Sequence, residues 1–79
     1  MLEKYYNQLE FEIKKLPKGR KFKIRELIGA AEWNKLDVTT RMNIGKYFYD
    51  KAITNGKMNT IIKPDKEKDV QGEQRYIKI

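Results

Sequence analysis

Residues 37–56 read DVTTRMNIGKYFYDKAITNG and hold the side chains best suited to chemistry with another molecule. At about 100° per residue, Thr40, Asn43, Tyr47, Lys51 and Thr54 fall on one side of a helix, with Arg41 and Lys46 on its flanks. Val38, Met42, Gly45, Phe48, Tyr49 and Ala52 fall on the other, which is the expected inner side. A plain solvated helix shows more Glu–Lys pairs four residues apart than this one does. Hydroxyls and an amide beside cations are what a helix needs to read DNA. An Asn amide matches adenine through two hydrogen bonds and a Thr methyl meets the thymine methyl, while Lys, Arg and Tyr hold phosphates. An ordinary amphipathic helix with a polar back is the plainer account of the same pattern.

Other chemistries are poorly served. Cysteine and histidine are absent, and so is serine. That removes the common nucleophiles, the common general base and the usual zinc ligands. The carboxylates are scattered among lysines. No catalysis, bound metal, cofactor or small-molecule substrate is expected.

With 79 residues and a net charge of +7, the chain reads as one small basic domain. Charge of this sign fits a polyanionic partner. The basic density lies just ahead of the central helix, in residues 17–36, which carry a net +4. No apolar run approaches the ~20 residues of a membrane span. The first residues lack the basic-then-apolar order of a signal peptide, so a cytoplasmic location is expected.

The elements that must position residues 37–56 follow from periodicity. Leu2, Tyr5, Tyr6, Leu9, Ile13 and Leu16 recur at helical spacing and predict a first helix over 2–16, with Phe11 off the stripe. Pro17 and Gly19 break it. Residues 21–24 alternate basic and apolar, as a half-buried strand does. A second helix follows over 25–36, with Gly29 a candidate kink and Trp33 expected in the core. Residues 35–38 give a tight connection to the central helix, so the pair has a helix-turn-helix pattern. Asp37 is placed to cap that helix over 38–55 and Gly56 to end it. Gly45 on the inner side suggests close packing against the preceding helix. Residues 58–63 and 75–79 read as a hairpin with a long tip, Pro64 and Gly72 serving as turn residues. A lone hairpin is marginal, so residues 21–24 are the expected third strand.

This order resembles a winged helix-turn-helix domain across nearly the whole chain, residues 1–79. The class is α+β, with three helices on a small antiparallel sheet and a C-terminal β-hairpin wing at 58–79. The segments PKGRKFKIRELIG, EWNKL, RMNIGKYFYDKAITNGKM and RYIKI also resemble a small group of single-domain proteins of Gram-positive bacteria and their phages and plasmids. The landmarks are Phe22, Leu27, Trp33, Arg41, Gly45, Phe48, Gly56 and Tyr76, mostly core or turn residues. The resemblance implies that the central helix enters the major groove and that the wing touches flanking DNA. Thr39, Thr40, Asn43 and Tyr47 are then the expected base contacts. Arg20, Lys21, Lys23, Arg41, Lys46 and Lys51 would hold phosphates, and Lys63, Lys66, Lys68 and Arg75 would serve the wing. Against deep contact there, the tip carries Asp65, Glu67, Asp69 and Glu73.

Double-stranded DNA is the expected partner, with two copies on repeated half-sites, or a homodimer, extending a short footprint. Transcriptional regulation and an accessory role at a plasmid or phage replication or transfer origin both fit. A second reading is a protein-interaction module that uses the same fold to bind or inhibit a partner, with the acidic wing and Tyr5, Tyr6 or Phe11 exposed. RNA binding is a third, which aromatics exposed on a sheet would favour.

Overall fold

The structure is a computed structural model that describes residues 2–65 and 73–79. Lys66 and Lys68, two of the expected wing contacts, lie outside the described residues. Tyr5, Tyr6, Leu9 and Ile13 line the buried side of the first helix, α1 (Leu2–Lys14), as their spacing requires. Leu2 and Leu16 pack at its edges, and Phe11 is 60% exposed. The helix stops two residues earlier than expected, and Leu16 closes a tight turn onto the Ile13 carbonyl at 3.0 Å.

Strand β1 (Lys21–Lys23) follows, and Ile24 already belongs to the next helix. The single helix expected over 25–36 is two short ones, α2 (Ile24–Ile28) and α3 (Ala30–Asn34). Gly29 separates them at φ 98°, a backbone state that side chains with a Cβ rarely adopt. The described residues therefore hold four α-helices rather than three. Trp33, expected in the core, is half-buried at its margin.

Helix α4 (Val38–Tyr49) starts where Asp37 Oδ1 accepts the Thr40 amide at 2.8 Å. The Thr40 side chain, and then its amide, hold the Asp37 carboxyl below its ordinary value of 3.8. After Tyr49 the helix widens into a π-type turn, Asp50–Thr54, whose Asp50 carbonyl accepts the Asn55 amide at 2.8 Å. Gly56, at φ 81°, ends it. The start and end signals worked; the regular helix is shorter than the 38–55 they bracket.

The hairpin strands are β2 (Ile62–Asp65) and β3 (Arg75–Lys78), in a three-stranded antiparallel sheet of order β1-β3-β2. The expected third strand is thus β1, paired Phe22 to Tyr76. The first hairpin strand begins four residues later than read from 58, because residues 58–61 form turns that bury Met58. Pro64, expected in a turn, lies in β2 opposite Tyr76. An edge strand tolerates a residue with no amide to donate.

Phe22 stacks on Tyr76 at 5.6 Å, and Phe48 of α4 meets Tyr76 edge-on at 5.2 Å. Those rings, with Tyr6, Leu9, Ile13, Ile44, Met58 and Ile62, are the large side chains of the fully buried centre. Burial of each ring or branched chain of this size is worth about 1.5–3 kcal/mol. Lys78 adds a polar tie: its Nζ donates to the Ile13 and Leu16 carbonyls at 3.0 and 2.9 Å, closing the C-terminal end of α1. Carbonyls there have no partner inside the helix, and a cation suits that end of its dipole.

Candidate functional site

The side of α4 that faces the core is set by Ile44, Phe48 and Ala52, all buried. This corrects the expected inner side. Val38 and Met42 are 66% and 55% exposed, and Tyr49 lies at the surface. The helix is turned by roughly 70° from the expected orientation at 100° per residue. Apolar residues occur around most of its circumference, so periodicity alone did not choose between the two stripes. Ile44, absent from the expected inner set, is the residue that would have decided it.

The same rotation moves two expected DNA contacts. Tyr47 is half-buried, its ring edge-on to Tyr6 at 6.2 Å, and its hydroxyl donates to the Glu3 carboxylate of α1. Lys51 donates to both Glu3 oxygens at 2.7 and 2.8 Å and lies 4.7 Å above the Tyr6 ring. Lys51 first, then Tyr47, lowers the Glu3 carboxyl below its ordinary value; the same bonds raise Lys51 and Tyr47 above theirs. This trio is a clasp between α1 and the end of α4 with its π-type turn, and it turns Tyr47 and Lys51 toward α1 instead of outward. Thr40 is also displaced from the outer face: it sits half-buried at the cap.

Thr39, Asn43 and Lys46 are exposed on the remaining arc of α4. None of the three has a side-chain hydrogen bond or ion pair among the described residues. Beside them run Val38, Met42 and Tyr49, and the two stripes together make up the open side of the helix. The apolar stripe borders an open groove of about 870 Å³, whose other walls include Ile24, Arg25, Trp33, Glu73 and Gln74. Gly45 lies on its floor. A Cβ there would meet nothing within 4 Å, so the close packing expected of this glycine is absent.

Arg41 lines the groove but is turned back on the helix pair. Its Nε donates to the Trp33 carbonyl at 3.1 Å, and its guanidinium lies 5.7 Å from the Trp33 ring centre. Arg25 pairs with Glu73 at 3.3 Å; the sequence reading had not singled it out, although it falls within the basic stretch.

The other expected cations lie elsewhere. In the sheet register Lys21 is level with Ile77 and Lys63, and Lys23 with Arg75 and Asp65. Strand alternation puts all six on the face opposite Phe22 and Tyr76. Lys21 pairs with Asp65 at 3.8 Å. Arg20 is exposed just ahead of β1 and donates from Nε to the Lys21 carbonyl at 3.3 Å. The expected phosphate contacts therefore divide between the open side of α4 (Lys46, with Arg41 at its edge), the outer sheet face, and the clasp.

A short basic chain with two of its helices stacked before a longer one, a three-stranded sheet behind, and one helix side left open defines a small α+β domain. Within that class the chain belongs to the family described as Domain of unknown function (DUF1413), whose model matches residues 7–78. No curated protein and no solved structure matches the chain. Among the described residues no helix is long and apolar enough to cross a membrane.

Proposed function

We propose that this chain is a winged helix-turn-helix domain that binds double-stranded DNA through the open side of α4. The order of helices and strands and the sheet order β1-β3-β2 support that architecture. The observation that carries the function is the set Thr39, Asn43 and Lys46: exposed, polar or cationic, and without partners among the described residues, on a helix whose Thr40, Arg41 and Tyr47 are engaged. Asn43 and Thr39 address base edges, and Lys46 holds a phosphate. The net charge of +7 supplies attraction to the polyanion. One domain spans few base pairs, so two copies on repeated half-sites suit either a transcriptional regulator or an accessory factor at a replication or transfer origin.

Fluorescence anisotropy on duplex fragments between about 50 and 200 mM salt tests this, since each phosphate contact adds about 0.9 to the slope of log affinity on log salt. Lys46→Ala should weaken all sequences alike and lower the slope by about one, whereas Asn43→Ala should relax sequence preference. Absence of duplex binding at the low-salt end removes the proposal.

The apolar stripe favours a second reading. Val38, Met42 and Tyr49 beside Trp33 form the kind of groove into which a partner protein can dock an apolar segment. That reading predicts no salt-dependent duplex binding. RNA recognition by base stacking has less support, because the outer sheet face carries no aromatic among its described residues.

A further inference from the structure

We infer that the open side of α4 selects A·T base pairs in the major groove, through one amide and a stripe of apolar side chains; this rests on the duplex-binding reading above. The inference comes from which groups the arc presents and which it withholds. In the major groove adenine offers an acceptor and a donor side by side, which the Asn43 amide matches with two hydrogen bonds. Thymine offers a C5 methyl, and Val38, Met42 and the Thr39 methyl can meet it. Val38 and Met42 are among the most exposed apolar side chains of the described residues.

Guanine offers two acceptors, and a guanidinium is its commonest reader. Helix α4 has a single guanidinium, Arg41, and that group is bonded to the Trp33 carbonyl at 3.1 Å and held near the Trp33 ring. Lys46 lies more than two turns into the helix, whereas recognition helices read bases chiefly with their N-terminal residues. It suits a phosphate at the groove edge. Gly45 completes the picture: with open space where a Cβ would stand, it lets a neighbouring surface approach the α4 backbone between Met42 and Tyr49 more closely than alanine would allow.

The test begins with selection of bound sequences from a pool of random short duplexes. The enriched core should be A·T-rich. In the enriched duplex, thymines are then replaced by uracils, which removes the C5 methyl and leaves the minor-groove pattern unchanged. Affinity should fall about fourfold for each contacted methyl, taking about 0.8 kcal/mol per buried methyl-sized group. Met42→Ala should lose most of that sensitivity while retaining the wild-type circular dichroism spectrum, and Asn43→Arg should shift the selected core toward G·C. An enriched G·C core, or steeply salt-dependent binding with no base preference, overturns the A·T inference and leaves duplex binding standing. An A·T core indifferent to uracil also overturns it, because the apolar stripe would then meet no thymine methyl. No binding to any duplex at low salt removes this inference and the reading beneath it together.

Discussion

The two sides of α4 use similar residue types for opposite ends. On the clasped side, Tyr47 and Lys51 are bonded to Glu3 and lie against the buried Tyr6 ring. On the open side, Lys46, Asn43 and Thr39 have no partner among the described residues, and Met42 and Val38 stand in solvent. Tyr47 and Lys51 are therefore structural on one side, while Asn43 and Lys46 are available on the other. What separates them is a single carboxylate on α1. Side-chain chemistry named the kind of contact; Glu3 decided which residues were left over to make it.

The largest test of this division lies at the boundary of the clasped side. Phe48→Ala should destabilise the domain by roughly 3–5 kcal/mol, as a buried ring does, and urea titration should find it largely unfolded. Met42→Ala, one and a half turns away on the open side, should stay within about 0.5 kcal/mol of the parent. Comparable losses at the two positions would mean that the open side is packed in solution.

A smaller and more selective effect is expected at Gly45. Gly45→Ala replaces a helix-interior glycine where a Cβ meets nothing, so it should raise stability by about 1 kcal/mol. The same methyl narrows the groove and should weaken duplex binding. A variant both more stable and equally tight would show that the gap serves no partner.

The smallest effect concerns the clasp. Glu3→Gln should lower the urea midpoint modestly and leave duplex affinity unchanged; a loss of binding matching that of Lys46→Ala would break the division between the sides. Its pH signature has a definite sign. The depressed Glu3 carboxyl contributes stability that is complete above its ordinary value of 4.5 and is lost as pH falls through the lower folded value. The raised Lys51 ammonium contributes below its ordinary value of 10.5, and that part is lost as pH rises through the higher folded value. The clasp therefore leaves stability flat through neutrality. Urea midpoints measured against pH should show Glu3→Gln removing part of the acid-side fall.

Much of the scaffold was legible because its signals are local. The α1 stripe, the Asp37 cap, the Gly56 stop and the choice of residues 21–24 as a third strand each rest on a few neighbouring residues or on strand alternation. The helix break at Gly29 was visible only as a candidate kink, since glycine permits a positive φ without requiring it. The orientation of α4 was misread because Ile44 and Met42 are both apolar, and their choice of side depends on α1 and the sheet. For the same reason Tyr47 and Lys51 could not be assigned: their partner lies 44 and 48 positions away. Arg25 escaped notice because its partner, Glu73, is at the far end of the chain.

Strand β3 lies between β1 and β2, and its Lys78 also closes the end of α1. While a nascent chain lacks residues 75–78, the sheet has no middle, the Phe22 and Phe48 rings have no Tyr76 to meet, and the end of α1 lacks its lysine. The core and the sheet are therefore complete only once that strand is in place. Until then α2 and α4 can cover the stripe of α1, but the Phe22 and Phe48 rings lack the cover that Tyr76 gives them.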